Sequence, residues 1–178
     1  MNKKTISTNN SNSAFLNKHR LEVLKKTIAD CTRRIKNNLD NPIGYYRRGI
    51  AYISTKQLDL AIADFTEAIR LNASIPAYYY FRGIAFKESG KYTSAMADFN
   101  QAIALKNDDY NNYHKRGSLY QSLYSLTNSF EQKHLYLNKA LDDFKKAMEL
   151  SPRQEHYQQL SENFARLISD FIWDYLQR

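Results

Sequence analysis

Apolar residues recur along most of the chain at alternating spacings of three and four, the pattern of one buried face of an α-helix. Between Ile43 and Leu105 one such pattern is written twice. The first copy runs Ile43-Gly-Tyr-Tyr-Arg-Arg-Gly-Ile-Ala-Tyr through to Leu71, and the second Ala77-Tyr-Tyr-Tyr-Phe-Arg-Gly-Ile-Ala-Phe through to Leu105. Pairs of identical residues lie 34 apart, among them Pro42 and Pro76, Gly49 and Gly83, Ala61 and Ala95, Asp64 and Asp98, Phe65 and Phe99, Ala68 and Ala102. A fixed period in the range of roughly 20–50 residues predicts a solenoid, in which each unit is one supersecondary element that buries its apolar face against its neighbours.

The spacing of an aromatic residue, Gly four on, an aromatic three further, then Ala, Phe and Ala at fixed offsets resembles the tetratricopeptide repeat. Tyr45, Gly49, Tyr52, Ala61, Phe65 and Ala68 carry it in the first copy, and Tyr79, Gly83, Phe86, Ala95, Phe99 and Ala102 in the second. The family's closing proline is absent from both, with Ala73 and Asn107 in its place. The resemblance implies an all-α fold, a tetratricopeptide-repeat solenoid of antiparallel helix pairs. A glycine inside a helix costs about 1 kcal/mol relative to alanine, so its recurrence at one phase predicts a close helix crossing where a Cβ would collide.

Taken in order, residues 1–12 are polar and read as a flexible tail. Residues 13–41 form a degenerate N-terminal repeat or cap. Leu21, Leu24, Ile28, Cys31 and Ile35 make its apolar stripe, Ile28-Ala-Asp-Cys-Thr aligns with Ile62-Ala-Asp-Phe-Thr, and Phe15 stands where the glycine would be. Residues 42–75 and 76–109 are the two well-formed repeats, each opened by a proline in its first helical turn. Residues 110–152 are a third repeat. Its Gly117 keeps the period, but Ala140 follows 23 residues later instead of 12, an insertion of 11. Eleven residues are about three helical turns, which keeps the apolar face in phase. Two overlong helices are therefore expected around a turn at Thr127-Asn128-Ser129, with Ser129 and Gln132 as a capping box. Leu123, Tyr124, Leu126, Phe130, Leu135 and Leu137 then need a place to pack. Residues 153–178 read as a C-terminal capping helix whose wide apolar face, with Trp173, either covers the third repeat or stays open for another subunit.

Charge is unevenly placed. Residues 1–39 hold nine Lys and Arg against Glu22 and Asp30, a net of +7, within a chain total of +8. The single cysteine, Cys31, excludes an intramolecular disulfide and reads as a small buried apolar residue of a reducing compartment. No apolar run suggests a signal or a membrane span, so a cytoplasmic protein is expected.

Tests for chemistry return nothing. His19, His114, His134 and His156 show no metal-ligand spacing, and three of the five glycines belong to the repeat, which leaves no phosphate loop. No enzyme, cofactor or metal is expected. Arg48, Arg82 and Arg116 recur at 34, as do Asp64 and Asp98, with Asp143 at the shifted equivalent. The phase predicts one structural Arg–Asp pair per helix hairpin. The adjacent acids Asp108–Asp109 and Asp142–Asp143 read as a loop and an exposed helix face.

What remains is a second stripe on the first helix of each repeat, beside the one that faces its own partner: Tyr46, Ile50 and Ile53, then Tyr80, Ile84 and Lys87 with Phe81, then His114, Ser118 and Gln121 with Lys115. The resemblance implies that first helices line a concave groove for partner peptides, so these residues are the candidate groove. Tyr46 and Tyr80 are equally readable as inter-repeat core. Family members that clamp the C-terminal carboxylates of heat-shock chaperones use Lys and Asn in the first repeat, Asn in the second, and Lys and Arg in the third, where this chain has Tyr46 and Ile50, Phe81, and Asn111 and Lys115. Only Lys115 carries the matching charge, so that activity is not expected. The sequence thus points to a non-enzymatic scaffold or adaptor that binds a peptide or helix of a partner protein. The alternative is that the basic N-terminal segment binds nucleic acid or an anionic membrane surface. Self-association through the third repeat and C-terminal helix is compatible with either.

Overall fold

The computed structural model describes the backbone of residues 4–151, the side chains of 17–151, and Glu162, Asn163, Arg166, Leu167 and Ser169. The described residues form seven helices and no strand: α1 (Lys4–Asn37), α2 (Pro42–Ser54), α3 (Leu58–Leu71), α4 (Pro76–Glu88), α5 (Tyr92–Leu105), α6 (Tyr110–Leu126) and α7 (Phe130–Leu150). They fall into two compact units, one up to Ala73 with α1–α3 and one from Ser74 with α4–α7. The expected C-terminal helix, 153–178, lies outside the described residues apart from the five just named.

Sequence signals account for most boundaries. Pro42 and Pro76 open α2 and α4, and the Asn41 side chain caps α2 by accepting from the Ile43 amide at 3.0 Å. The turns inside the first two pairs need a left-handed residue, and they use Lys56 (φ 60°) and Gly90 (φ 76°). Each turn is closed by the same bond, from the Gln57 amide to Tyr52 O and from the Lys91 amide to Phe86 O. Without the family's closing proline, the residues ending α3 and α5 still adopt one geometry, with φ −154°, ψ 98° at Asn72 and φ −150°, ψ 96° at Lys106.

The core of each pair is a phenylalanine between two alanines, all essentially sealed from solvent: Ala61, Phe65, Ala68; Ala95, Phe99, Ala102; Ala140, Phe144, Ala147. The phenylalanine ring occupies the space that the glycine of the first helix leaves open. A Cβ on Gly49, Gly83 or Gly117 would stand 2.8, 2.8 or 2.9 Å from a ring carbon of Phe65, Phe99 or Phe144.

Each pair is also tied by its arginine and aspartate. Arg48 reaches both carboxylate oxygens of Asp64 at 2.8 and 2.7 Å, Arg82 those of Asp98 at 2.8 Å each, and Arg116 those of Asp143 at 2.9 and 2.7 Å. All three aspartates are buried, so Asp143 points inward rather than sharing the exposed face of Asp142. The guanidinium groups lie against aromatic rings: Arg48 against Tyr45 and Tyr52, Arg82 against Tyr79 and Phe86, Arg116 against Tyr113. A further bond reaches the helix before the hairpin, from Arg48 to Thr32 of α1 (3.1 Å) and from Arg116 to Asn100 of α5 (2.8 Å). Arg48 and Arg116 therefore fasten their hairpins both internally and to the preceding helix of the same unit.

Two expectations change. The degenerate repeat is not a hairpin: α1 is one helix that starts at Lys4, ahead of the expected start at Ser13, and runs through to Asn37. Residues 4–37 contain neither glycine nor proline, so no helix breaker interrupts this stretch. Its second half does what the alignment with α3 predicts, since Cys31 and Ile35 are buried and Ile35 fills the space beside Gly44 of α2. Leu21, farther up the same stripe, is 43 % exposed.

In the third repeat the 11 inserted residues go wholly into the helices. α6 has 17 residues where α4 has 13, α7 has 21 where α5 has 14, and the turn keeps three residues. Leu137 is buried with Ala140 and Phe144, and Tyr120, Tyr124 and Leu141 pack around them. Leu126 and Leu135 stay exposed. The capping box is half formed: Ser129 Oγ accepts from the Gln132 amide at 3.3 Å, while the Gln132 side chain accepts from Thr127 Oγ1 instead of returning to the cap.

Candidate functional site

In the first unit, Tyr46, Ile50 and Ile53 lie on α2 and are all half-buried. The Tyr46 ring leans on Phe65 with centroids 6.2 Å apart. Ile53 lies at the other end, where it lines an open depression with Leu21 and Leu24 of α1.

In the second unit, α4 and α6 repeat the arrangement. Tyr80 leans on Phe99 at 6.4 Å and His114 on Phe144 at 5.8 Å, so the first stripe residue of all three repeats covers the phenylalanine of its own hairpin. Tyr80 and Ile84 also pack against the buried cluster of Ala95, Phe99 and Leu119. These side chains thus give one side to the core, yet none of them is fully buried. Phe81 stands edge-on to Tyr80 at 5.0 Å.

Tyr80 and Phe81 form the apolar wall of a cleft of about 470 Å³ at the N-terminal ends of α4 and α6. Ile75, Pro76 and Ala77 continue that wall, and Lys106, Asp109, Asn111 and Asn112 supply the polar side. Asp109 is the N-cap of α6 and accepts from the backbone and side-chain nitrogens of Asn111, both at 3.0 Å. Buried Asn112 donates to Ala102 O and Lys106 O at 3.4 Å and so fixes the loop between α5 and α6. Sequence reasoning placed Tyr80 and Phe81 here but missed Lys106, Asp109 and Asn112. The available signal was Asp109, one residue before Tyr110, at an N-cap position.

Beyond the cleft the same two helices turn polar. Lys87 Nζ of α4 donates to Ser118 Oγ of α6 at 2.6 Å. Burial, then the nearby Lys115 ammonium, hold the Lys87 ammonium below the ordinary lysine value, and Glu88 opposes this only in part. Lys115 and Ser118 are half-buried and Gln121 is exposed. On α1 all the described basic residues are exposed, and two of them, Lys25 and Arg33, are paired with Glu22 and Asp30 along the helix. Among the described residues no cluster of His, Cys, Asp or Glu is placed to hold a metal ion, and no helix is long and apolar enough to cross a membrane.

A family model described as "Tetratricopeptide repeat" matches residues 42–74, and one described as "TPR repeat" matches residues 83–123. The chain is a tetratricopeptide-repeat protein. Among curated proteins none matches the sequence. Solved structures similar to this tetratricopeptide-repeat chain include the Arabidopsis OM64 TPR domain, at 24 % identity, with 70 % of this chain and 94 % of that one covered and a TM-score of 0.60. The MamA protein gives 18 % identity, 89 % and 82 % coverage and a TM-score of 0.69. The first TPR of Spaghetti (RPAP3), solved bound to an HSP90 peptide SRMEEVD, gives 22 % identity, 72 % and 93 % coverage and a TM-score of 0.62. At these identities the likeness establishes the all-α tetratricopeptide-repeat fold and nothing finer.

Proposed function

We propose that this chain is a non-enzymatic interaction scaffold or adaptor of the cytoplasm, and that it binds a peptide or helix of a partner protein along the first helices of its repeats. The observation that carries this reading is the cleft beside Tyr80 and Phe81. Two aromatic side chains there keep part of their surface in solvent, beside a polar wall whose Asp109 and Asn112 already serve the fold. Concave sites of this kind, mainly apolar with a few placed polar groups, are where proteins take ligands. Peptide binding by similarly folded proteins supports the reading: besides the HSP90 peptide complex of Spaghetti (RPAP3), the second TPR domain of human RPAP3 is solved in complex with an HSP70 peptide SGPTIEEVD. The partner here is of another kind, because Tyr46, Ile50 and Phe81 stand where a carboxylate clamp needs Lys and Asn.

Affinity capture from the source cells tests this, comparing the native chain with Tyr80→Ala/Lys115→Ala and with a variant of α1 whose basic residues are neutralised, each checked by circular dichroism. A protein held by the native chain and by the α1 variant, and released by the groove variant, supports the scaffold. Recovery of nucleic acid or lipid that only the α1 variant loses overturns it.

A further inference from the structure

α4 and α6 each present a stripe that changes character along its length. On α4 the stripe is Tyr80, Ile84 and Lys87, and on α6 it is Asn111, Lys115 and Ser118, both at i, i+4 and i+7, which keeps each set on one helix face. The cleft lies at the N-terminal end of both stripes. At the other end the Lys87–Ser118 bond bridges the two helices, and Lys115 lies three residues before Ser118 on the same face of α6. Among the described residues neither Lys87 nor Lys115 forms an ion pair.

Two ammonium groups on neighbouring helices with no carboxylate bonded to either, and with Glu88 offsetting only part of the effect of burial and Lys115 on Lys87, are an unfavourable arrangement. Serine can bond to Lys87 but cannot neutralise it. A side-chain carboxylate at this point would accept from both lysines, and charge-assisted bonds of this type are short and strong.

We propose that the partner of this groove is an internal acidic segment, with an apolar side chain in the Tyr80–Phe81 cleft and the carboxylate of an Asp or Glu between Lys87 and Lys115. The inference rests on the groove reading and adds the partner's chemistry. It also sets a spacing. Seven helical residues separate Tyr80 from Lys87, a rise of about 10 Å, which a peptide in the polyproline II conformation covers in about three residues, one full turn, so that anchor and acid point the same way. The anchor and the acid are thus three apart. A side-chain carboxylate serves, so no free C-terminus is required.

The test uses the full chain and N-acetylated, C-terminally amidated peptides that carry Phe and Glu three apart, in both orders, against matched peptides with Gln for Glu, read by fluorescence anisotropy. The Glu peptides are expected to bind about tenfold tighter or more than the Gln peptides, and to lose that advantage in Lys87→Gln/Lys115→Gln. Both substituted positions are half-buried polar sites, and circular dichroism confirms that the variant folds. Phe81→Ser is expected to weaken both peptides alike. Equal binding of Glu and Gln peptides, with Phe81→Ser still weakening both, overturns the acidic inference and leaves the groove reading standing. Failure of every peptide to bind, or binding indifferent to Phe81→Ser, overturns both.

Discussion

A methyl group at position 83 would lie 2.8 Å from Cε1 of Phe99, which is itself fully buried. Neither partner has room to withdraw, so Gly83→Ala is expected to lower stability by about 1–3 kcal/mol despite the better helix propensity of alanine. Gly90 is a different case: nothing lies within 4 Å of its missing Cβ, but its φ is 76°. Gly90→Ala should cost about 1 kcal/mol, from backbone strain alone. Urea melts of the two variants separate these causes, because replacing Phe99 with Leu should relieve part of the first penalty and none of the second. Cys31 belongs to the same scale. It is 5 % exposed, and burial pushes its thiol above the ordinary value. Alkylation by iodoacetamide at about pH 8 should therefore be slow in the native chain and become fast in urea. Prompt labelling without denaturant would show that α1 does not rest on α2 as described.

Among the elements, the lengthened α6–α7 hairpin makes the sharpest claim. Leu137 is 1 % exposed and packs with Ala140 and Phe144, so Leu137→Ala should cost about 2–5 kcal/mol, whereas Leu135→Ala, at a position 51 % exposed, should cost under about 1 kcal/mol. Thermal melts that gave equal losses would mean that the extension is not a packed core. The repeats and this extension were legible in the sequence because the fold reuses one contact, glycine against phenylalanine, at a fixed spacing. The inserted residues also kept helical phase. The unbroken α1 was harder to read. The turn of the first repeat rests on Lys56, a residue with no turn signature, so the lack of such a signature around Glu22 in α1 said little in advance. At the site, the two stripes could be read from helical periodicity. The cleft could not, because its polar wall is assembled by Asp109 and Asn112 folding the α5–α6 loop onto itself.

For the molecule as a whole, stability in a repeat protein is close to a sum of local terms and nearest-neighbour terms. The three Arg–Asp pairs make this testable. Asp64→Ala leaves Arg48 without its carboxylate at a site where both side chains are largely buried, a loss of about 3 kcal/mol. Hydrogen exchange should quicken throughout α2 and α3 and change little in α6 and α7. Uniform acceleration across the chain would show a single cooperative unit. Binding of a partner at the Tyr80–Phe81 cleft should survive this substitution.

The same pairs also set the order in which the chain closes. Arg48 and Arg82 each find an aspartate 16 residues away, but Arg116 has to find one 27 residues away. The longer search costs about 0.5 kcal/mol more in loop entropy. It also raises the sequence separation of native contacts, which slows folding. Pulse-labelled refolding should then protect the amides of α2 to α5 before those of α6 and α7. The third hairpin is also the last of the three to leave the ribosome, so the order of synthesis and the order of closure run the same way.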